Sequence, residues 1–384
     1  MRENVKVSIC REGISSFAKE VKEASHGGKV LLFTEEGLTG DDAVAALSFE
    51  GLKVVRRNIP EHCSESLFAE LQKAPEGILA AAAVGGVMPI EAMKAAHIPA
   101  LIPKILFPTH SSALSATDDR VYFGRSIDLP TALSSVHSVL LDPDLLSAAP
   151  LRPTLGYLFA LVAEEADGAY EDMILRKESP ASALRALKEK LALLSSIAEE
   201  DAPTQTVHTL LTLLKASERA PRSSSVHTLA LLAARKTGGS FGDYLFPAGY
   251  ALLAIYASYL GSLPLEHCPP PDRVENLRLL HAKCGVDPSL FSKRRIAYAE
   301  GYDDRWRVTA EYREDFLEIF AHAIPLSHLS RLYRRAPHEK ESSPPLTASD
   351  LLLLLSLTGE AVSGYPLIKH IKMTGLIEPL LRCG

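Results

Sequence analysis

Hydrophobic positions in the first part of the chain fall into short unbroken runs separated by segments of helical period. Val30–Thr34 (VLLFT), flanked by glycines and acids, predicts a buried strand. Asp41–Glu50 is helix-like, and Lys53–Arg57 (KVVRR) predicts a second strand. A helix over Ser64–Lys73 follows, with Ser64 as its N-cap, then a strand over Ile78–Val84 and a helix over Pro89–Ala96. Ala100–Phe107 and Val136–Asp142 (VHSVLLD) predict two more strands. Apolar, non-alternating strands interleaved with helices are the pattern of a parallel sheet covered on both faces.

After Pro150 the period changes. Leu- and Ala-rich helical patterns dominate, interrupted at Pro203, at Ala220-Pro221-Arg222 and at Cys268–Asp272 (CPPPD), where proline ends helices. Arg334–Pro345 reads as a charged loop, and TASD at Thr347–Asp350 caps a helix over Leu351–Thr358. The expectation is a Rossmann-like α/β domain over residues 1–150 and an all-α domain over 151–384, with a cleft between them. VHT occurs at Val207–Thr209 and Val226–Thr228, too short a match for a repeat.

Composition adds limits. The 384 residues are 47% hydrophobic and 23% charged, as in a soluble globular protein. A net charge of −6 gives no electrostatic reason for a nucleic-acid or anionic-membrane partner. MRENVKVSICREG lacks an apolar leader core, and the most apolar stretch, Tyr244–Leu263, carries Pro247 and reads as a buried helix, not a membrane span. Five scattered cysteines without CxxC favour a reducing cytoplasm.

The candidate chemistry starts at AAAVGGVMPIEAMK, residues 81–94. A strand, Gly85-Gly86 and then a helix is the geometry in which a helix N-terminus meets a phosphate, because glycine lets backbone amides approach an anion. Pro89 suits the first turn of that helix. The same spacing also suits an ordinary strand–helix turn.

VGGVMPIEAMKAA resembles the GGGSxxDxxKxxA signature of the superfamily that joins dehydroquinate synthase, glycerol dehydrogenase, sn-glycerol-1-phosphate dehydrogenase and the iron-containing alcohol dehydrogenases. Gly85 and Gly86 match two of its glycines, with Val87 at the third, Glu91 at the aspartate and Lys94 at the lysine. VLLFTEEGL (Val30–Leu38) is similar to the first strand and nucleotide-facing turn. IPKILFPTHSSALSA (Ile102–Ala116) is similar to the PTxxSTD loop, and LPTALSSVHSVLLDPDLLSAAP (Leu129–Pro150) to the stretch leading out of the domain. The resemblance spans roughly residues 25–265 and is closest in pattern to glycerol dehydrogenase and sn-glycerol-1-phosphate dehydrogenase.

It implies NAD or NADP as cofactor. Gly85, Gly86 and Val87 would lie at the pyrophosphate, Thr34 and Glu35 near the adenosine, and Thr109 and Ser112 near the nicotinamide. Plain turn chemistry after Pro108 is the other reading of Thr109 and Ser112.

The family's catalytic metal, zinc or iron, is held by an acid and two histidines of the helical domain and polarises the substrate oxygen. At the matching positions stand Tyr157, His227 and Ala248, with Leu231 replacing a histidine one turn after His227, Tyr250 replacing a glutamate, and Leu114 at or beside the acid of the STD loop. Only His227 is retained, so a catalytic metal is expected to be absent. Glu164, Glu165, Asp243 and His208 are nearby donors, but none restores the spacing, because a helical turn of about 5.4 Å exceeds a coordination bond of about 2.1 Å. A helix histidine packed in a polar pocket is the alternative reading of His227.

Two functions remain open. One is an NAD(P)-dependent dehydrogenase-like protein acting on a small polyol or polyol phosphate, with Tyr157, His110, His227 and Tyr250 as candidates for proton transfer and Tyr157 and His227 foremost. The other is a catalytically inactive scaffold that binds a nucleotide, metabolite or partner subunit; a homo-oligomer is compatible with either. A dehydroquinate synthase-like lyase fits worst, since Leu229–Ala257 offers only Arg235 and Lys236 as cations.

Overall fold

The computed structural model describes residues 6–10, 12–60, 70, 73, 75–110, 136–148, 151–175, 179–197, 202–216, 225–239, 241–261, 273–286, 302–315, 318–319, 326–335, 343–362 and 367–373. The helix expected over Ser64–Lys73 lies outside them except at Glu70 and Lys73, and so do Ser112, Leu114 and the CPPPD stretch. The chain divides into two compact units, Met1–Thr154 and Leu155–Gly384.

In the first unit the order is β1 (Lys6–Ile9), α1 (Ile14–Ser25), β2 (Lys29–Thr34), α2 (Leu38–Phe49), β3 (Lys53–Asn58) and β4 (Ala80–Gly85). It continues with α3 (Val87–Ala95), β5 (Lys104–Pro108), β6 (Ser138–Leu141) and α4 (Pro143–Ala148). The six strands form one parallel sheet in the order β1-β6-β5-β4-β2-β3. Both β2 and β4 are buried along almost their whole length, which is why their sequences read as unbroken apolar runs. The alanines of β4 leave room for the side chains of its neighbours: Phe17, Val21, Val30, Leu32, Ile105 and Phe107 share one cluster with Ala80 and Ala82. Phe17 of α1 meets Phe107 of β5 with ring centroids 5.4 Å apart. Helix α1 reaches the sheet through Phe17, Ala18, Val21 and Ser25, spaced at helical intervals along one face.

The boundaries shift where backbone donors run out. Pro103 has no N–H, and the strand expected over Ala100–Phe107 begins at Lys104. Neither β1 nor α1 is among the elements predicted above. β1 is four residues long, sits at a sheet edge and is mostly exposed, so it has no apolar run to reveal it.

The second unit is built on helices α5 (Leu151–Ile174, from Leu155 onward), α6 (Pro180–Ser195), α7 (Ala202–Ala216), α8 (Ser225–Thr237) and α9 (Phe241–Gly261). Further along come α10 (Arg273–Cys284), α11 (Tyr302–Glu311), α12 (Leu326–Arg335), α13 (Ala348–Ala361) and α14 (Leu367–Met373). Ten consecutive residues of α8, Ser225–Ala234, are buried, and α8 packs on α9, α10 and α13. A helix buried on every side cannot be amphipathic, which accounts for SVHTLALLAA. The TASD signal forms a capping box: Thr347 Oγ1 accepts from the Asp350 amide, and the Thr347 amide donates back to Asp350.

Two glycines set how closely α5 and α9 approach. A Cβ at Gly156 would lie 2.5 Å from the Phe246 nitrogen, and one at Gly249 would lie 2.6 Å from Phe159 Cβ. Near this crossing Phe159 and Phe246 pack with centroids 5.0 Å apart. Further along α5, Asp167 is buried and accepts three hydrogen bonds: from Ser225 Oγ of α8, from Tyr256 Oη of α9 at 2.7 Å, and from the Leu367 amide of α14 at 3.0 Å. Burial pushes its carboxyl up to about 7, against the lowering effect of those donors. Among the described residues no helix is long and apolar enough to cross a membrane.

Candidate functional site

In the sheet, the chain leaves β2 toward β3 at one edge, and leaves β4 toward β5 on the other side. Adjacent parallel strands whose connections depart in opposite directions make a crevice at their carboxyl ends, where open α/β sheets bind ligands. Thr34 ends β2 there, followed by Glu35, and Gly85 ends β4, followed by Gly86. Thr109 follows β5 and is tied in by its amide, which donates to the Gly85 carbonyl at 3.0 Å. Val87 opens α3. Thr34, Glu35, Gly85, Gly86, Val87 and Thr109 therefore share one rim of the sheet, while Ser112 lies outside the described residues.

The local chemistry of this rim is polar and tightly fitted. Gly85 has φ +138°, a backbone conformation that L side chains rarely adopt. Gly86 is the N-cap of α3, and its amide donates to Glu35 Oε1 at 3.0 Å. A Cβ at Gly86 would meet that oxygen at 2.9 Å and His110 Nδ1 at 3.7 Å. Thr109 Oγ1 and His110 Nδ1 share a hydrogen bond of 2.9 Å. Behind the rim the Glu35 carbonyl accepts from Thr34 Oγ1 and Arg56 Nη2, and Arg56 also pairs with Asp41. Within α3, Lys94 and Glu91 form an ion pair of 3.2 Å at 3% and 1% exposure. Lys104 of β5 is also buried, and burial, reinforced by the Lys94 charge, holds its ammonium down at about 8.

In the helical unit, Tyr157 and Glu164 lie two turns apart on one face of α5. His227 of α8 is 2% exposed. Tyr157 meets its ring edge-on with centroids 6.1 Å apart, and Phe241 stacks on it at 5.9 Å. Glu164 Oε1 lies 3.4 Å from His227 Nδ1. This carboxylate is the donor the spacing argument set aside. It is brought to the histidine by its place on the Tyr157 face of α5, a two-turn offset visible in sequence once the helix is assumed.

The other nearby donors have different surroundings. Glu165 pairs with Lys190, Asp243 accepts from Ser343 Oγ at 2.6 Å, and His208 is exposed on α7. Ala248 is buried, and Tyr250 stacks on Phe246. Among the described residues no three His, Cys, Asp or Glu side chains are grouped so as to hold a metal ion.

No protein-family model matches the chain, and no curated protein matches it in sequence. Solved structures do match over its whole length. An archaeal halo-thermophilic alcohol dehydrogenase from a Red Sea brine pool, solved as a point mutant, is 14% identical with a TM-score of 0.56, covering 100% of this chain and 98% of that one. An iron-containing alcohol dehydrogenase from Thermotoga maritima is 13% identical with a TM-score of 0.54, covering 99% of each chain. A 1,3-propanediol oxidoreductase is 15% identical with a TM-score of 0.53, covering 99% of this chain and 100% of that one. The chain thus has the fold of the iron-containing alcohol dehydrogenases, a six-stranded parallel sheet followed by a helical domain.

Proposed function

We propose that this chain is a dehydrogenase-like protein that binds NAD or NADP and acts on a small polyol or polyol phosphate, with the metal centre of its structural relatives largely lost. The observation that carries the reading is the meeting of Thr34-Glu35, Gly85-Gly86 and Thr109-His110 at the divergence of β2 and β4. Glycines that a Cβ would crowd, at the amino end of a helix, fit the close approach of a pyrophosphate. In this reading the Gly86 and Val87 amides hold the pyrophosphate and Thr34 and Glu35 face the adenosine. Thr109, with Ser112, attends the nicotinamide end. A bound nicotinamide would supply or accept the hydride. Tyr157 and His227 would hold or move the proton, since hydride transfer leaves a substrate oxygen whose proton must be exchanged.

The residues at the positions of the metal ligands do not fit zinc or iron. A catalytic site needs about three protein ligands and an open position. Tyr157 offers a phenol, Ala248 a methyl group, and the His227 ring is enclosed by Tyr157 and Phe241. That same enclosure favours a second reading, a catalytically inactive scaffold that holds a nucleotide, a metabolite or a partner subunit. A cytoplasmic location, supported by five scattered cysteines without CxxC, and the absence of a nucleic-acid partner, supported by the net charge of −6, go with either reading.

The test is calorimetry with NAD and with NADP on wild type and Gly86→Asp, beside elemental analysis of protein purified without chelators and turnover assays with glycerol and glycerol phosphates. Nucleotide binding that Gly86→Asp abolishes, without bound metal, supports the reading; turnover then separates enzyme from scaffold. Unchanged affinity in Gly86→Asp removes the nucleotide assignment, and stoichiometric zinc or iron in wild type removes the lost-metal assignment.

A further inference from the structure

The amide that the nucleotide reading assigns to a phosphate is already in use. Gly86 N–H donates to Glu35 Oε1 at 3.0 Å, and the carboxyl carbon lies 3.4 Å from where a Cβ of Gly85 would stand. The carboxylate therefore lies over both glycines. It is well suited to that place: an anion at the amino end of a helix is favoured by the exposed amides and by the helix dipole. Among the described residues no basic side chain pairs with it. Arg56 donates to the Glu35 backbone carbonyl and pairs with the Asp41 carboxylate.

The backbone of Glu35 is held by contacts other than those of its side chain. Its carbonyl is held by Thr34 and Arg56, and Gly40 packs so closely behind it that a Cβ there would stand 2.7 Å from the same carbonyl. The side chain is half-buried and reaches Gly86 from the end of the neighbouring strand β2. A carboxylate and a phosphate oxygen cannot accept from one amide at once, and two anions there repel each other.

We propose that Glu35 is an internal occupant of the anion seat, an autoinhibitory contact that a dinucleotide must displace before its pyrophosphate can bind. The inference rests on the nucleotide reading above. It assigns Glu35 a sign opposite to the one expected for a residue that only receives the adenosine ribose: removing its charge tightens binding.

Two variants of the full chain test this. Glu35→Gln keeps a carbonyl oxygen for the Gly86 amide and removes the charge, whereas Glu35→Ala empties the seat. Dissociation constants for NAD and NADP are measured by calorimetry for wild type and both variants, and thermal melting reports the loss of the helix cap. The expected result is binding about tenfold tighter in Glu35→Gln, or about 1.4 kcal/mol, with a further gain in Glu35→Ala despite a slightly lower melting temperature. Wild type that binds nucleotide with variants equal or weaker overturns the autoinhibitory contact and leaves the nucleotide reading standing. No binding by wild type or either variant overturns both.

Discussion

Replacing Asp167 with asparagine should stabilise the helical unit at alkaline pH and leave it nearly unchanged in acid. The Asp167 carboxyl titrates at about 7 in the folded chain against 3.8 for an ordinary aspartate, because burial outweighs its three donors. A raised folded value means that the folded chain keeps a proton the unfolded chain has lost. Between pH 3.8 and 7 stability therefore falls as pH rises. At about 1.36 kcal/mol per pH unit, the ionised carboxylate costs about 4 kcal/mol above that window. Asparagine has nearly the same shape and no charge. Its carbonyl oxygen can accept from Tyr256 Oη and the Leu367 amide, and its amide can donate to Ser225 Oγ, so each partner stays satisfied. Melting at pH 8 should rise by about 10 °C in Asp167→Asn, taking about 2–4 °C per kcal/mol for a unit of this size. At pH 4 the two proteins should melt together. Calorimetric melts of both proteins from pH 4 to pH 8 measure this. A variant less stable than wild type at pH 8 would mean that the three hydrogen bonds to a charged acceptor outweigh its burial, and the reasoning would fail.

Three further outcomes follow from packing and charge. Gly156→Ala should destabilise by about 1–3 kcal/mol in urea unfolding, since its methyl would press on the Leu245–Phe246 backbone and force α5 and α9 apart; an unchanged midpoint would contradict the close crossing. Lys94→Met should cost about 3–5 kcal/mol by leaving Glu91 charged and buried, whereas Glu91→Leu with Lys94→Met should recover most of it. A double variant no better than the single one would show that the pair is not the controlling interaction. Tyr157→Asp with Ala248→His should gain zinc, read by elemental analysis, if both positions flank His227 as the resemblance implies; zinc bound equally by wild type would refute this.

The sheet was legible because β2 and β4 are buried on both faces, and such strands leave long apolar runs in VLLFT and AAAAV. Gly85-Gly86 was legible for a related reason, since a turn with φ +138° tolerates little but glycine. What stayed hidden depends on neighbours distant in sequence. The Glu35–Gly86 hydrogen bond joins residues 51 apart and exists because β2 and β4 are adjacent, an order that no local pattern encodes. Glu164 was visible as a residue on the Tyr157 face, but its approach to His227 is decided by how α5 and α8 are rotated about their own axes. Asp167 drew no notice in sequence because its partners come from three other helices.

The position of β1 has a consequence for how the protein is made. Its pairing partner is β6, with Lys6 opposite Ser138, so the first described strand cannot dock until more than a hundred later residues have been synthesised. At about 5–20 residues per second that wait is on the order of ten seconds. During it, Val7 and Ile9, still 46% and 45% exposed in the finished fold, belong to a strand with both edges open. Until β6 emerges, β1 therefore waits with neither of its edges paired.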